Sequence, residues 1–448
     1  MSGFQIEQNY IYSVIFDDYL GLNLSEFELL EEGAELVISR QGKKMTLSNE
    51  FFAQSLVDYL NIGSLPIHPL DVMELSGVEL FKEVVEKTIP IVYGNSNVTI
   101  NDTEIYLGLD VFGTSFFMLS RYEEVVNTER DEQDRFSAYS SVAYKNGFLE
   151  RPIIDEYVDI LWICMHHLWP DLRRKEHKFR HLVSCDVDFA WDRRLKFPLV
   201  IKTFLGDILK RRSFSTALKT LVNFISRKNP FATFDFLMDT CELSKSELAF
   251  YFIAQDNKEL INGDYDISSE FATNLIKEIH RRGHEVGLHP SYNTYRSLNQ
   301  TKREIEALQN VLKNQGLEID IIGGRQHYLR WSTPETARNW ESIGLMYDST
   351  LGYADHVGFR CGTCKEYRFY DVKERRPMDL IIRPLIAMEV TLLSGDYMSL
   401  TSGQAERKLL ELKRICENFN GNFVMLWHNN YFDQPEYFDV YKNVIQYE

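Results

Sequence analysis

Two α/β domains, the second built on parallel strands, are what this sequence predicts, and three observations predict them. A chain of 448 residues is longer than one hydrophobic core usually serves. Hydrophobic residues at 44% and charged residues at 26% are ordinary for a globular protein and exclude a disordered, collagenous or coiled-coil chain. Beyond about residue 178, apolar runs alternate with helical periodicities, the pattern of parallel strands wrapped by helices in an open sheet or a barrel.

The first block, residues 1–172, reads as a smaller α/β accessory domain. AELVISRQGKKMTLS predicts a hairpin-like pair of strands. GVELFKEVVEKTIPIVYG predicts a helix leading into a strand, and LDVFGTSFFMLSRYEEVV a loop followed by an amphipathic helix. Arg151 to Leu172 reads as a helix with Pro152 near its start and Pro170 near its end. The domain boundary is expected at 172–178, after which 178–448 forms the second domain.

In that domain HLVSCDV is an apolar run ending in acids, and ELAFYFIA is a second buried strand. SSEFATNLIKEIHRRG predicts an amphipathic helix closed by Gly283. HEVGLHP is the third strand, followed by the helix TKREIEALQNVLKNQG. IDIIGGRQHY reads as the fourth strand, and TPETARNWESIG as a helix with Thr333 as N-cap before Pro334. DLIIRPLIAMEVTLL is a later strand, QAERKLLELKRICENF a helix, and GNFVMLWHNN the last strand.

Functional groups in such folds gather at the carboxyl ends of strands. Here Asp186 and Asp188 end the first, His289 and Asn293 follow the third, Arg325, His327 and Tyr328 end the fourth, and His428 ends the last. Any one of these is an ordinary loop residue; four ends carrying such groups together point to metal-assisted hydrolysis. Carboxylate and imidazole can hold a divalent ion that polarises a carbonyl and acidifies water. A second carboxylate can take the water's proton and an opposite histidine can protonate a leaving amine.

SCDVDF, GHEVGLHPSYNT, RQHY and MLWHN resemble, in order, the motifs of the polysaccharide deacetylase (NodB-homology) superfamily, over roughly residues 178–448. The resemblance implies a distorted (β/α)7 barrel that removes acetyl groups from sugars with the help of a divalent ion, zinc by preference. It makes Asp186 the general base, Asp188 and His289 metal ligands, Arg325 the residue orienting the base and His428 the general acid. Tyr328 and Leu426 would shape the acetyl site, and Asp348 falls near a further family acid. Where the family has His-x-x-x-His, this chain reads His289-Pro-Ser-Tyr-Asn293, so the third ligand would be Asn293, whose neutral carbonyl is a poorer zinc ligand than imidazole.

Three functions stay open at this point: a deacetylase of an N-acetylated sugar on a cytoplasmic or lipid-linked glycan, a hydrolase of another amide as in the allantoinase-like branch, and a degenerate saccharide-binding or scaffold protein. The acidic net charge of −17 argues against nucleic acid as a partner. The absence of a basic, then apolar N-terminal stretch predicts no secretory signal, and six scattered cysteines suit a reducing, cytoplasmic setting. Cys361 and Cys364 form a lone CxxC, read as two unrelated loop cysteines. Against the net charge, residues 192–228 carry ten Lys/Arg and two acids. This basic helical insertion at about 192–230 either caps the second domain or touches an anionic membrane from the cytoplasmic side; Leu218, Leu221, Val222 and Ile225 would share one face.

Overall fold

Glu35–Arg40 and Lys43–Ser48 form the expected hairpin, paired antiparallel from Glu35↔Ser48 to Arg40↔Lys43. The structure is a computed structural model and describes all residues except 1, 2, 55, 211, 227, 256–259 and 448. The hairpin sits in a five-stranded sheet with Glu28–Glu32 on one side and Glu104–Leu109, then Gly94–Ile100, on the other. Asp110 caps the helix Val111–Leu119 by accepting from the Gly113 amide, and every residue of that helix is buried, so it is a core helix rather than an amphipathic one. The helix expected in GVELFKEVVEK shrinks to a single 3-10 turn at Glu79–Phe81. The chain there is drawn instead into the short pair Val72–Glu74 and Thr88–Pro90, whose flank the Leu75 amide extends to the Lys87 carbonyl.

These elements belong to the first of two compact units, Met1–Arg180 together with Leu329–Ile386 and Leu412–Phe423. The units are therefore not the two sequence blocks 1–172 and 178–448. Buried charge accounts for the regrouping. Glu124 receives two hydrogen bonds from Arg360 and one from Arg121, at 2.8–3.0 Å, and Lys365 pairs with Asp155. All are nearly inaccessible to water, and a carboxylate that far from solvent needs such partners. In the same unit, Pro334 rather than Thr333 stands at the N-cap of the helix Glu335–Ser342. The Thr333 hydroxyl instead accepts from the Trp331 indole at 2.9 Å. The six cysteines of the chain are buried free thiols, Cys361 and Cys364 among them.

The second unit, His181–Tyr328 with Ala387–Glu411 and Val424–Glu448, holds the strands expected to carry chemistry. They are β1 (Arg180–Val187), β2 (Glu247–Phe252), β3 (Glu285–Leu288), β4 (Gly323–Gly324), β5 (Ala387–Met388) and β6 (Asn422–Leu426). Their order is β4-β3-β2-β1-β6-β5, and β4 with β3, β3 with β2, β2 with β1, and β5 with β6 pair in parallel. Among the described residues no pairing closes this sheet, so the expected (β/α)7 barrel is an open, largely parallel sheet here. DLIIRPLIAMEVTLL is also not one strand: Arg376–Ile382 is separate from β5, and Glu389–Leu393 turns into helix. The helices Glu270–Arg281 and Leu298–Asn314 are as expected, followed by Gly283 at φ +80° and Gly316 at φ +69°.

Register is what assembles the site. Val187 lies beside Phe252, Phe252 beside Leu288, and Leu288 beside Gly324. The next residues along, Asp188, His289 and Arg325, consequently leave the sheet at one level. On the far side Met388 pairs with Leu426, which brings Glu389 and His428 to the corresponding end. Gly324 permits the closest of these approaches, since a Cβ there would lie 1.8 Å from the Leu288 carbonyl oxygen.

Candidate metal and acid–base site

Arg325 is wholly buried. It donates at 2.8 Å to the Ser184 hydroxyl and at 2.9 Å to Asp186 Oδ1, with its guanidinium over the Tyr251 ring. That bond fixes one Asp186 oxygen; the other, Oδ2, faces His289 Nε2 at 3.8 Å. Asp188 Oδ1 lies 3.2 Å from His289 Nε2 and 3.5 Å from His327 Nδ1, and the two imidazole nitrogens are 2.9 Å apart.

The backbone decides which nitrogens carry protons. His289 Nδ1 is 2.6 Å from the Arg325 carbonyl oxygen, and His327 Nε2 is 2.5 Å from that of Ile261. A carbonyl only accepts, so both of those nitrogens are N–H donors and the converging ones, His289 Nε2 and His327 Nδ1, present lone pairs. Asp188 Oδ1, between them, is buried with no hydrogen-bond donor. Two lone pairs and a carboxylate oxygen within 3.5 Å of one another repel unless a positive charge sits among them. Each histidine held by a backbone carbonyl is how metal-binding imidazoles are oriented. Among the described residues Asp188, His289 and His327 are the one such cluster of ligand atoms.

The charges agree. Burial alone would raise the Asp188 carboxyl, but His327, His289 and His428 outweigh it and hold it well below the carboxylate range. Burial, with His289 beside it, pushes His327 down to about 4 against the pull of Asp188, leaving it neutral and able to ligate near pH 7. His289 is lowered by burial and raised further by Asp186 and Asp188, ending above its ordinary value.

His428 completes the arrangement from the opposite side, with Nε2 3.7 Å from Asp188 Oδ2. Its Nδ1 lies 2.6 Å from Glu389 Oε1, which also accepts the His428 amide at 3.1 Å. Burial would strip the proton from this imidazole, but Glu389, then Asp188 and Asp186, push it up to about 10. The ring is thereby oriented and favoured in its protonated form.

Asn293 is exposed, unlike the buried His289 and His327, and stands before the 3-10 turn Thr294–Arg296. Glu304 grips Ser291 through amide and hydroxyl at 2.8 and 2.6 Å, and Thr294 turns inward to Gln326 at 2.8 Å, which leaves Asn293 on the outside of the bend. His327, which ends the fourth strand and for which the motif resemblance implies no role, is the third residue of that candidate cluster. The signal lies in the sequence: a histidine two residues past Arg325, at the end of the same strand. Glu389 was missed too, because it interrupts an apolar run read as one strand.

Tyr328 is 42% exposed beside His327, in the left-handed backbone region at φ +61°, and its ring meets Tyr292 edge to face. A non-glycine residue held there is strained, as residues at functional sites often are. Leu426 is fully buried in β6. Asp348 belongs to the first unit, where it accepts from the Thr350 amide and hydroxyl at 2.8 and 2.6 Å; it is a turn-forming acid, and a substrate-binding role has no support from these contacts.

Residues 3–170 match the model of a family described as of unknown function, DUF7033. No curated protein is similar in sequence to this chain. Among solved structures, the chain is similar to a Mycobacterium smegmatis protein described as a polysaccharide deacetylase, at TM-score 0.40 and 14% identity, with 60% of this chain and 84% of that one covered. It is similar to a Pseudomonas aeruginosa PAO1 protein of like description at TM-score 0.37 and 14% identity, covering 61% and 88%. The Puue allantoinase is matched at TM-score 0.37 and 10% identity, covering 61% and 87%. Structures this distant decide nothing about substrate or mechanism, which rest on the side chains.

Proposed function

We propose that this chain is a divalent-metal-dependent hydrolase that removes the acetyl group from an N-acetylated sugar. The observation that carries the reading is the convergence of two imidazole lone pairs on a buried carboxylate oxygen that has no donor of its own. Asp188, His289 and His327 would hold the ion, and two histidines with one carboxylate suit zinc. When bound, that ion supplies Lewis acidity toward the amide carbonyl and lowers the pKa of a coordinated water.

The remaining work falls to this chain's own residues. Asp186, oriented by Arg325, accepts the proton of the attacking water. His428, kept protonated by Glu389, delivers a proton to the departing amine nitrogen. Asp186 meets His289 and His428 meets Asp188, so a base and an acid both border the cluster, as hydrolysis of an amide requires. Tyr328 offers an exposed aromatic face for a sugar ring.

Metal analysis of the purified full chain, coupled to acetate release from chito-oligosaccharides, tests this. The expected result is one zinc per chain, acetate release that stops on chelation and returns with zinc, and loss of both metal and turnover in Asp188→Ala. A folded Asp188→Ala chain with wild-type metal content and turnover would sink the proposal.

A further inference from the structure

The basic insertion is folded but not covered. Its two helices, Leu199–Leu209 and Phe214–Ile225, pack on each other around Val200, Asp207 and Ala217, the residues they bury. Asp207 accepts from the Thr220 hydroxyl, and the Ser213 amide meets the Asp207 carbonyl, which closes the hairpin. What remains outside is apolar: Leu205, Leu209, Phe214, Leu218, Val222 and Ile225 are 48–75% exposed. Six large apolar side chains exposed on one small element are more than scattered exposure would give. Lys202, Lys210, Arg212 and Lys219 are exposed on the same two helices or the bend between them. Arg211 and Arg227, two further members of the basic count, lie outside the described residues.

Both ends of the insertion are pinned next to the site. Asn229 donates to the Ala190 carbonyl at 2.7 Å, and Asn429 donates to the carbonyls of Phe189 and Phe231 at 2.9 Å each. Phe189 follows Asp188, and Asn429 follows His428. The hairpin therefore stands on the residues that flank the metal ligand and the acid.

We propose that this hairpin docks the chain on anionic lipid bilayers and sets the Asp188–His428 site at the lipid surface, where an acetylated glycan carried on lipid is the substrate. Charge complementarity selects this occupant. An excess of eight positive charges over residues 192–228, in a chain of net charge −17, matches an anionic surface. A second copy of the same hairpin would bring like charges face to face. Apolar side chains enter the headgroup boundary while lysine stems lie along it, which is how interfacial helices bind. The docking stands alone; the substrate class rests on the deacetylase reading.

Flotation of the full, zinc-loaded chain with phosphatidylcholine vesicles, with and without about 30% phosphatidylglycerol, tests it. The chain should float only with the anionic vesicles and detach as salt rises from about 0.05 to 0.5 M. Leu218→Asp with Ile225→Asp, and separately Lys202→Glu with Lys210→Glu, should each weaken binding about tenfold or more while sparing acetate release from soluble chito-oligosaccharide. Acetate release from an N-acetylglucosaminyl lipid in the anionic vesicles should fall in both variants. No flotation at low salt, flotation unchanged in the charge-reversed variant, or a wild-type dimer that the apolar variant dissolves would overturn the docking. A chain that floats but deacetylates neither probe would leave docking intact and end the deacetylase reading; one that deacetylates the soluble probe without floating would do the reverse.

Discussion

Replacing His327 by alanine removes one of the three groups proposed to hold the ion, and zinc affinity should fall by about 100-fold or more, because loss even of an outer hydrogen bond to a ligand costs about 10–100-fold. Asn293→Ala should leave affinity within about twofold, since that side chain is exposed on the outside of its bend. Competition titration with a zinc chelator measures both; comparable losses in the two variants would contradict the assignment. Glu389 acts through His428 and is a positioning residue. Glu389→Gln should keep its zinc but lose about 100-fold in kcat with little change in KM, the usual worth of a general acid. Glu389→Asp should recover part of the loss, which a purely structural role would not predict.

At the scale of elements, the β3–β4 contact is the most constrained place in the sheet. Gly324→Ala would drive a methyl into the Leu288 carbonyl oxygen, so the strands must part. The expected cost is about 1–3 kcal/mol of stability, together with a drop in kcat as Arg325 moves off Asp186. Thermal melts and steady-state kinetics on one preparation would show the two changes together; a variant with unchanged melting temperature and kcat would mean β4 is free to shift. This also explains what could be read in advance. HLVSCDV and ELAFYFIA are legible because a strand buried on both faces is a continuous apolar run. The fourth strand is shorter than expected: only Gly323 and Gly324 pair, and Gly324 comes too close to the Leu288 carbonyl for a side chain. The helix expected at 77–87 fails because periodicity cannot foresee that its flanks are held as a strand pair.

Across the whole molecule, segments far apart in the chain share a unit through buried charge. Glu124 is opposed by burial but held by Arg360 and Arg121, which bring its carboxyl from its ordinary 4.5 down to about 2. The folded-state value is the lower one, so this group's contribution to stability is complete above about pH 4.5 and is lost as pH falls toward 2. Glu124→Gln should destabilise by about 3–5 kcal/mol at pH 7, since two buried guanidinium groups lose their partner. The variant should also show a shallower loss of melting temperature than the wild type between pH 5 and pH 3. Parallel acid limbs in the two proteins would mean the Glu124 carboxylate is not held by its arginines in solution.

From the order of residues alone came the β–α alternation, the basic hairpin and the polar strand ends Asp186, Asp188, His289, Arg325 and His428, because an apolar run followed by a charged residue is a local signal. Packing decides which neighbours converge: His327 joins Asp188 and His289, Glu389 holds His428, and Asp348 accepts hydrogen bonds from Thr350. It also decides the open sheet in place of a closed barrel. The reason is physical: the direction of a side chain just beyond a strand follows from register with the adjacent strand and from the contacts that bend the loop, here Glu304 on Ser291 and two backbone carbonyls on two imidazoles, and none of these is encoded within the few residues around the motif.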